Sequence, residues 1–205
     1  MKEPARKPDG GRAASENRVF AIVLAGMGAT ALAAVGLSLL LDAPLGEQLR
    51  WRWADAALGL AATLPLLGLL IWFMRSQLPA VEAFRRAQIE FFSTIGFAFT
   101  PSRIALMAIG AGVSEELLFR GVLQTWAAQF LPLAFAIALP NILFGALHAR
   151  TIAYAVIAGL VGCYLGALFW LTENLLAPII AHALYDFVAL DVTRRAIVGN
   201  GRSKG

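Results

Sequence analysis

The chain contains six apolar stretches, and each is about as long as the hydrocarbon core of a membrane is thick. They cover residues 19–41, 56–74, 104–128, 133–149, 152–171 and 175–190. A helix needs about 20 apolar residues to cross that core, and backbone in contact with lipid must hydrogen-bond within its own helix. Because 59% of the residues are hydrophobic and only 15% are charged, the sequence predicts an all-α, polytopic membrane bundle of about six transmembrane helices.

The segment between the second and third stretches has a different pattern. Apolar and charged residues follow an approximate helical period there, with Val81, Phe84, Phe91, Phe92 and Ile95 set against Glu82, Arg85, Arg86 and Glu90. A helix with one apolar and one charged face lies in the plane of the membrane interface. We therefore predict one interfacial amphipathic helix within residues 76–100, in addition to the six spans.

Basic residues predict the orientation of the bundle, because cytoplasmic loops carry the excess of Lys and Arg. If the amino terminus is inside, the outside loops contain only Arg50 and Arg52. The inside segments then contain Lys2, Arg6, Lys7, Arg12, Arg18, Arg75, Arg85, Arg86, Arg103, Arg150, Arg194, Arg195, Arg202 and Lys204. We therefore predict an integral protein of a bacterial plasma (inner) membrane with both termini cytoplasmic.

The two basic ends of the chain flank the apolar region. Residues 1–18 contain too little apolar surface to fold, so we predict that they form a disordered cytoplasmic tail. We predict a second basic cytoplasmic tail over residues 193–205. The transmembrane bundle then covers residues 19–192. Basic residues confined to the ends and loops are typical of a membrane protein, so the net charge of +4 does not indicate nucleic-acid binding.

Ionisable residues inside the apolar stretches are the strongest indication of function. A charged group near the middle of a membrane costs about 2.5 to 3.5 kcal/mol, so several together favour a functional site. They occur in the third, fourth and sixth stretches: Glu115, Glu116, Arg120, His148, His182 and Asp186. The chain has two histidines in all, and both belong to this set.

Helical spacing divides the three charged residues of the third stretch into a pair and a single acid. Glu116 and Arg120 are four residues apart, on one helix face, where an ion pair is favoured. Glu115 is rotated by about 100 degrees from Glu116, so Arg120 neutralises it less directly. We predict that Glu115 is the carboxylate available to accept a proton from water, and that Glu116 and Arg120 support it.

The remaining residues of the set come from two other spans. His182 and Asp186 are four residues apart and point to the same side of the sixth span, whereas His148 lies on the fourth. If the bundle brings them to Glu115, the set can activate water and stabilise an oxyanion. The candidate catalytic residues are therefore Glu115, His148, His182 and Asp186.

Three ordered motifs carry a resemblance to a known family. Glu115-Glu116-x-x-x-Arg120, Phe144-x-x-x-His148 and His182-x-x-x-Asp186 resemble the motifs of the CAAX prenyl protease and bacteriocin-processing family, the type II CAAX endopeptidases and their bacterial relatives. The resemblance covers about residues 101–192. It implies an intramembrane endopeptidase in which Glu115 and His148 activate water, while His182 and residue 186 stabilise the oxyanion. Glu116 and Arg120 would then be mainly architectural.

Position 186 departs from the usual pattern of that family, because an aspartate stands where an asparagine is more common. An ionised aspartate cannot donate a hydrogen bond to an oxyanion. Asp186 is therefore either protonated by its apolar surroundings, or it orients His182. The sequence leaves both roles open.

The same residue types can also bind zinc, and members of the resembled family are often described as metalloproteases. The sequence lacks the usual signature of two histidines one helical turn apart with a glutamate between them. We favour a water activated by Glu115 without an obligatory cofactor. Zinc is the alternative, and Glu115, His148 and His182 would be its ligands.

Two other classes of function are compatible with buried charges in a membrane. A small proton or ion transporter would use them as a relay, although the chain shows no internal repeat of the kind that transporters carry. A non-catalytic membrane partner, such as a bacteriocin-immunity protein, would keep the fold of the protease family but would no longer hydrolyse peptides. For the protease, we expect contact with membrane lipid and a membrane-associated or lipidated peptide or protein as substrate; the sequence does not indicate an oligomeric state.

Small residues and prolines within the spans predict details of the packing. Gly162 and Gly166 form a GxxxG pattern, which lets two helices approach closely. Pro140 and Pro178 each remove a backbone donor and predict kinks in the fourth and sixth spans. Cys163 has no partner in the chain, so we expect it to pack in the bundle.

Overall fold

A computed structural model describes residues 10–202, and the side chains of residues 11–199. Within that part of the chain every regular element is helical, and no strand occurs. The elements are α1 (Gly10–Leu40), α2 (Leu45–Gln48), α3 (Trp53–Arg75), α4 (Pro79–Ser93), α5 (Pro101–Glu116), a π-helix (Leu117–Gln124), α6 (Thr125–Ala128), α7 (Leu133–Leu147), α8 (Ile152–Thr172) and α9 (Leu176–Arg202). The predicted all-α class is confirmed.

Four helices are long and apolar enough to cross a membrane. They contain the stretches Gly11–Leu40, Trp53–Arg75, Ile152–Thr172 and Leu176–Gly199. The two other predicted spans are helical as well, since α5, the π-helix and α6 follow one another without a break, and α7 is an apolar helix of 15 residues. The charged residues of α5 and the shortness of α7 set these two helices apart from the other four. The protein is therefore an integral membrane protein built as a helical bundle.

The predicted amphipathic segment forms helix α4. Pro79 occupies its first turn, where a missing backbone N–H costs no hydrogen bond. Arg85 of α4 donates hydrogen bonds to the carbonyl oxygens of Phe73, Met74 and Ser76, at 3.0 to 3.2 Å. These carbonyls lie at the end of α3 and have no partner further along that helix. Arg85 therefore joins α4 to the end of α3.

The prediction of a disordered tail over residues 1–18 is wrong from Gly10 onward; residues 1–9 lie outside the described part of the chain. Helix α1 already begins at Gly10. Glu16 accepts hydrogen bonds from the backbone N–H of Ala98 and from Arg103 Nη1, at 3.2 and 3.3 Å. Arg103 Nη2 also donates to Asn17, at 2.7 Å. These polar contacts anchor the first turns of α1, and the composition of the segment does not reveal them.

The carboxyl-terminal tail is also shorter than predicted. Helix α9 continues as far as Arg202, and residues 203–205 lie outside the described part of the chain. Asp191 accepts hydrogen bonds from Arg194 and Arg195, at 2.7 Å from each guanidinium. Ion pairs at this spacing favour a helix, so the basic residues extend the last span instead of ending it.

Helix α9 lies in the middle of the bundle, where it packs against α3, α5 and α8. Small residues allow the closest approaches. A Cβ atom on Gly59 of α3 would lie 2.6 Å from the carbonyl oxygen of Ala177, and one on Gly112 of α5 would lie 3.0 Å from Cβ of Ala183. Helix α7 packs against α8 in the same way, because Gly145 faces the backbone of Ala155. Helices α5 and α9 thus pack together, and α7 joins them through α8.

The two prolines have different positions in their helices. Pro140 lies inside α7, as the sequence predicts. Pro178 is the third residue of α9, because that helix begins at Leu176. The first residues of a helix have no intrahelical acceptor for their N–H groups. The predicted kink at Pro178 is therefore wrong.

Candidate active site

The charged residues of the third span lie where the helix changes its type. Glu115 and Glu116 are the last residues of α5, and Arg120 is in the π-helix that follows. A π-helix has a wider turn than an α-helix, is rare, and occurs often at functional sites. The sequence does not predict this element, because its residues fit an ordinary α-helix equally well.

Glu116 and Arg120 form the predicted ion pair, and both side chains are completely buried. Arg120 Nη1 donates to Glu116 Oε1 at 2.8 Å, and Nη2 donates to Asn141 Oδ1 at 2.9 Å and to the carbonyl oxygen of Gly162 at 2.8 Å. We call these four residues the buried network. It joins the third, fourth and fifth spans.

Asn141 was not among the residues predicted for the site. It is completely buried in α7, and its amide nitrogen donates to the carbonyl oxygen of Ile137 at 2.7 Å. This carbonyl lies one turn earlier on the same helix, so the amide of Asn141 bonds within α7 as well as to Arg120. A single amide in an otherwise apolar helix, directly after a proline, is the signal that could have identified it.

The backbone carbonyl oxygens of the two glycines of the GxxxG pattern accept hydrogen bonds from polar side chains. Gly162 accepts from Arg120, and Gly166 accepts from Gln124 Nε2 at 2.9 Å. A Cβ atom on Gly162 would collide with Asn141 Oδ1, and one on Gly166 would lie 2.6 Å from Gln124 Oε1. The glycines therefore allow the π-helix to hydrogen-bond to the backbone of α8, in addition to the helix packing that the pattern predicts.

The structure brings all four candidate catalytic residues together, and we call them the open cluster. Glu115 Oε1 is 3.9 Å from His148 Nε2, and Glu115 Oε2 is 3.8 Å from His182 Nε2. Asp186 Oδ2 is 3.5 Å from His182 Nε2. The side chains of Glu115, His148 and Asp186 are 22%, 30% and 30% exposed, whereas that of His182 is only 9% exposed.

Each histidine is oriented through its Nδ1 atom. His148 Nδ1 is 2.8 Å from the carbonyl oxygen of Phe144, one turn earlier. Since a carbonyl accepts, this nitrogen carries the proton, and a neutral His148 presents Nε2 as an acceptor towards Glu115. His182 Nδ1 is 2.7 Å from Glu116 Oε1. His182 therefore connects the open cluster to the buried network.

Aromatic rings form one wall of the site. The ring of Phe144 lies 4.3 Å from that of His148 and 4.9 Å from that of Phe119, between ring centres. The guanidinium of Arg120 lies over the same Phe144 ring, at 5.1 Å. Phe144 thus separates the buried charges from the more exposed imidazole of His148.

The gaps within the open cluster have the dimensions of a water site. Polar atoms separated by 3.8 to 3.9 Å are too far apart for a hydrogen bond, but one water molecule can contact two such atoms. Among the described residues, no side chain donates a hydrogen bond to the Glu115 carboxylate within 3.5 Å. The carboxylate therefore has free acceptor sites that face His148 and His182.

The same residues were tested as a metal site. In the part of the chain that the structure describes, no group of three or more His, Cys, Asp or Glu side chains is close enough to hold a metal ion. Glu115, His148 and His182 would have to move closer together to act as ligands.

The chain was compared with models of known protein families. Residues 97–188 match the model of the family described as type II CAAX prenyl endopeptidase Rce1-like. That range contains Glu115, Glu116, Arg120, both histidines and Asp186, and the match confirms the family resemblance predicted from the sequence. No curated protein and no solved structure matches the chain.

Proposed function

Since residues 97–188 are Rce1-like and so of the type II CAAX prenyl endopeptidase family, we propose that the protein hydrolyses a peptide bond with a water molecule held by Glu115 and His148. The family supports a CAAX-type intramembrane protease in general. The single observation that supports this mechanism is the 3.9 Å gap between Glu115 Oε1 and His148 Nε2. A water molecule that contacts both atoms can lose its proton to the carboxylate as it attacks a carbonyl carbon.

His182 is the residue that we propose to stabilise the oxyanion. With Nδ1 donating to Glu116, its Nε2 can donate to an oxyanion only in the imidazolium form. The carboxylates of Glu115, Glu116 and Asp186 all lie within 4.0 Å of this ring and balance its charge. A donor already held in place stabilises the developing negative charge without further rearrangement.

Asp186 has a positioning role in this proposal. Its carboxylate lies 3.5 Å from His182 Nε2, on the same helix and one turn away. An aspartate at this place directs His182 towards Glu115, and it does not itself donate to the oxyanion. The Asp186 that stands in place of the commoner Asn is therefore compatible with a catalytic site.

Glu116 and Arg120 support the site from its buried side. Both are completely buried, and neither reaches the exposed part of the open cluster. Glu116 fixes His182 through the 2.7 Å contact to Nδ1. Arg120 neutralises Glu116 and connects it to α7 and α8. We propose that this pair keeps the spacing of the open cluster constant.

The substrate that we propose is a membrane-associated or lipidated peptide, with a prenylated CAAX-type protein as the class that the family indicates. We further propose a bacterial plasma membrane with both termini in the cytoplasm, since the basic residues lie on that side of the spans. The site then lies within the membrane, where a lipid-anchored substrate is concentrated. No step of this mechanism uses a metal.

The test is the hydrolysis of a panel of membrane peptides, some of them prenylated, by the purified protein in detergent. Glu115→Ala and His148→Ala are measured beside the wild type, with and without a chelator. We expect cleavage by the wild type, at least about 100-fold slower cleavage by both variants, and no effect of the chelator. Loss of cleavage in the chelator would favour the zinc alternative, and equal behaviour of wild type and variants would favour a binding or immunity role.

A further inference from the structure

Arg150 lies two residues after His148, in the turn between α7 and α8, and three aromatic rings surround its guanidinium. Its Cζ atom is 3.8 Å from the ring centre of Tyr154, 4.3 Å from that of Phe91 and 4.9 Å from that of Phe92. Tyr154 belongs to α8, and the two phenylalanines belong to the amphipathic helix α4. Cation–π contacts of this kind hold an arginine by its faces and leave the N–H groups at its edge available.

No carboxylate neutralises Arg150. The other arginines that are at least half-buried are Arg85, Arg103, Arg120 and Arg194, and each has a carboxylate oxygen within 4.0 Å. Arg150 is also half-buried, but among the described residues it has no such partner. Removing a charge from water without a counter-charge is costly, so the position favours an anion that comes from outside the chain.

Arg103 shows what an arginine in a purely structural role looks like in the same protein. It too lies near two aromatic rings, with Cζ 5.4 Å from the ring of Phe20 and 5.6 Å from that of Phe97. Its N–H groups, however, donate to Glu16, to Asn17 and to the carbonyl oxygen of Ala98. The difference between the two arginines is a carboxylate partner, which Arg103 has in Glu16 and which Arg150 lacks among the described residues.

The distance from Arg150 to the open cluster fits a short peptide segment. Its Cζ atom is 3.8 Å from the Tyr154 ring centre, and that centre is 6.4 Å from the His148 ring centre, so the guanidinium lies within about 10 Å of His148. At most about three extended residues fit within that distance. In a CAAX sequence the prenylated cysteine is followed by three residues and the terminal carboxylate.

We propose that Arg150 binds the carboxyl-terminal carboxylate of the substrate and so selects peptides that end no more than about three residues after the bond that is cut. This inference rests on the proposed function, since it assigns a substrate group to the same site. An arginine offers two parallel N–H groups that match the two oxygens of a carboxylate. The aromatic rings of α4 and α8 hold the guanidinium at a fixed distance from His148.

The experiment compares two fluorescent peptides that differ at one group. Both carry a prenylated cysteine followed by three residues, and one ends in a carboxylate while the other ends in an amide. Their dissociation constants are measured on the protein in nanodiscs of neutral phosphatidylcholine, with empty nanodiscs as the control for partition into lipid. A Glu115→Gln background keeps the peptides intact, so binding is measured separately from cleavage.

We expect the acid to bind about tenfold or more tightly than the amide, because hydrogen bonds between charged groups have that strength. In Arg150→Gln the ratio of the two dissociation constants should fall close to one. In Arg150→Lys it should fall only in part, since lysine keeps the charge but not the paired N–H groups. The matched control Arg103→Gln should keep the ratio, even where it weakens the fold.

A ratio near one in the parent protein, or an unchanged ratio in Arg150→Gln, would overturn the inference. Binding of a labelled phosphatidylglycerol is measured on the same variants. If Arg150→Gln reduces this binding and leaves the ratio unchanged, the anion is a lipid phosphate and the inference is overturned. If the wild type cleaves neither peptide, the proposed hydrolysis fails, while the ratio of dissociation constants still decides the role of Arg150.

Discussion

Glu115 and Glu116 are neighbours in the chain, but their carboxylates lie in opposite surroundings. Glu116 is completely buried, and its Oε1 atom contacts Arg120 at 2.8 Å and His182 at 2.7 Å. Glu115 is 22% exposed, and its closest charged or ionisable partners are 3.8 to 3.9 Å away. The buried network therefore has short direct contacts, whereas the open cluster has separations that a water molecule can bridge.

This difference indicates how a membrane protein can hold reactive groups apart. A carboxylate paired with a buried cation is stable but unavailable for chemistry, and an isolated one in lipid is available but costly. Here Glu116 makes the contacts that fix the helices. The adjacent Glu115 can therefore remain without a direct contact to a side-chain donor among the described residues. Three predictions test whether the division between network and cluster is real.

The largest effect on stability is expected for Arg120→Met. The change leaves Glu116 as a buried charge without its partner, which costs about 3 to 5 kcal/mol in free energy of unfolding. The measurement is unfolding in detergent, followed by helical circular dichroism. As a control, the double change Glu116→Gln with Arg120→Met removes both charges and should recover part of the loss; a single variant as stable as the wild type would contradict the role of the network.

A smaller loss is expected for Gly162→Ala. The added methyl group would meet Asn141 Oδ1 and, at 3.1 Å, Arg120 Nη2, and such overpacking costs about 1 to 3 kcal/mol. The matched control is Gly68→Ala in α3, where a Cβ atom has nothing within 4 Å and stability should change by less than about 1 kcal/mol. If both variants unfold at the same temperature, Gly162 has no special part in the network.

The smallest effect is expected for Asp186→Asn, which changes only the open cluster. The amide has nearly the same volume and can still contact His182, so we expect turnover to change by less than about tenfold, or about 1.4 kcal/mol. Stability should be unchanged, since Asp186 is 30% exposed. A loss of turnover as large as that in Glu115→Ala would show that Asp186 takes part in the chemistry and does not only position His182.

Hydropathy and helical spacing predicted much of this arrangement. Six apolar stretches corresponded to helices, because the backbone in lipid has few alternatives. The i,i+4 rule predicted the pair of Glu116 with Arg120, since both partners are on one helix. The three motifs predicted which side chains of α5, α7 and α9 would meet, but only through the resemblance to a family.

Features that depend on contacts between helices were not predictable from one sequence. The π-helix, the carbonyl of Gly162 as an acceptor and the burial of Asn141 all occur where the segment after α5 packs against α7 and α8. The helical start of α1 also depends on a contact between helices, that of Glu16 with Arg103, whereas the end of α9 has ion pairs within its own helix. Their charged residues suggested tails, but Glu16 and Asp191 find partners in the folded protein.

The most direct test of the account compares Glu115→Gln with Glu116→Gln, two equal changes at adjacent positions. For each variant, the turnover of a cleaved peptide and the midpoint of thermal unfolding are measured in the same detergent. The account predicts that Glu115→Gln unfolds like the wild type but turns over at least about 100-fold more slowly, and that Glu116→Gln is clearly less stable. Normal turnover in Glu115→Gln, in a protein whose wild type cleaves the peptide, would contradict it.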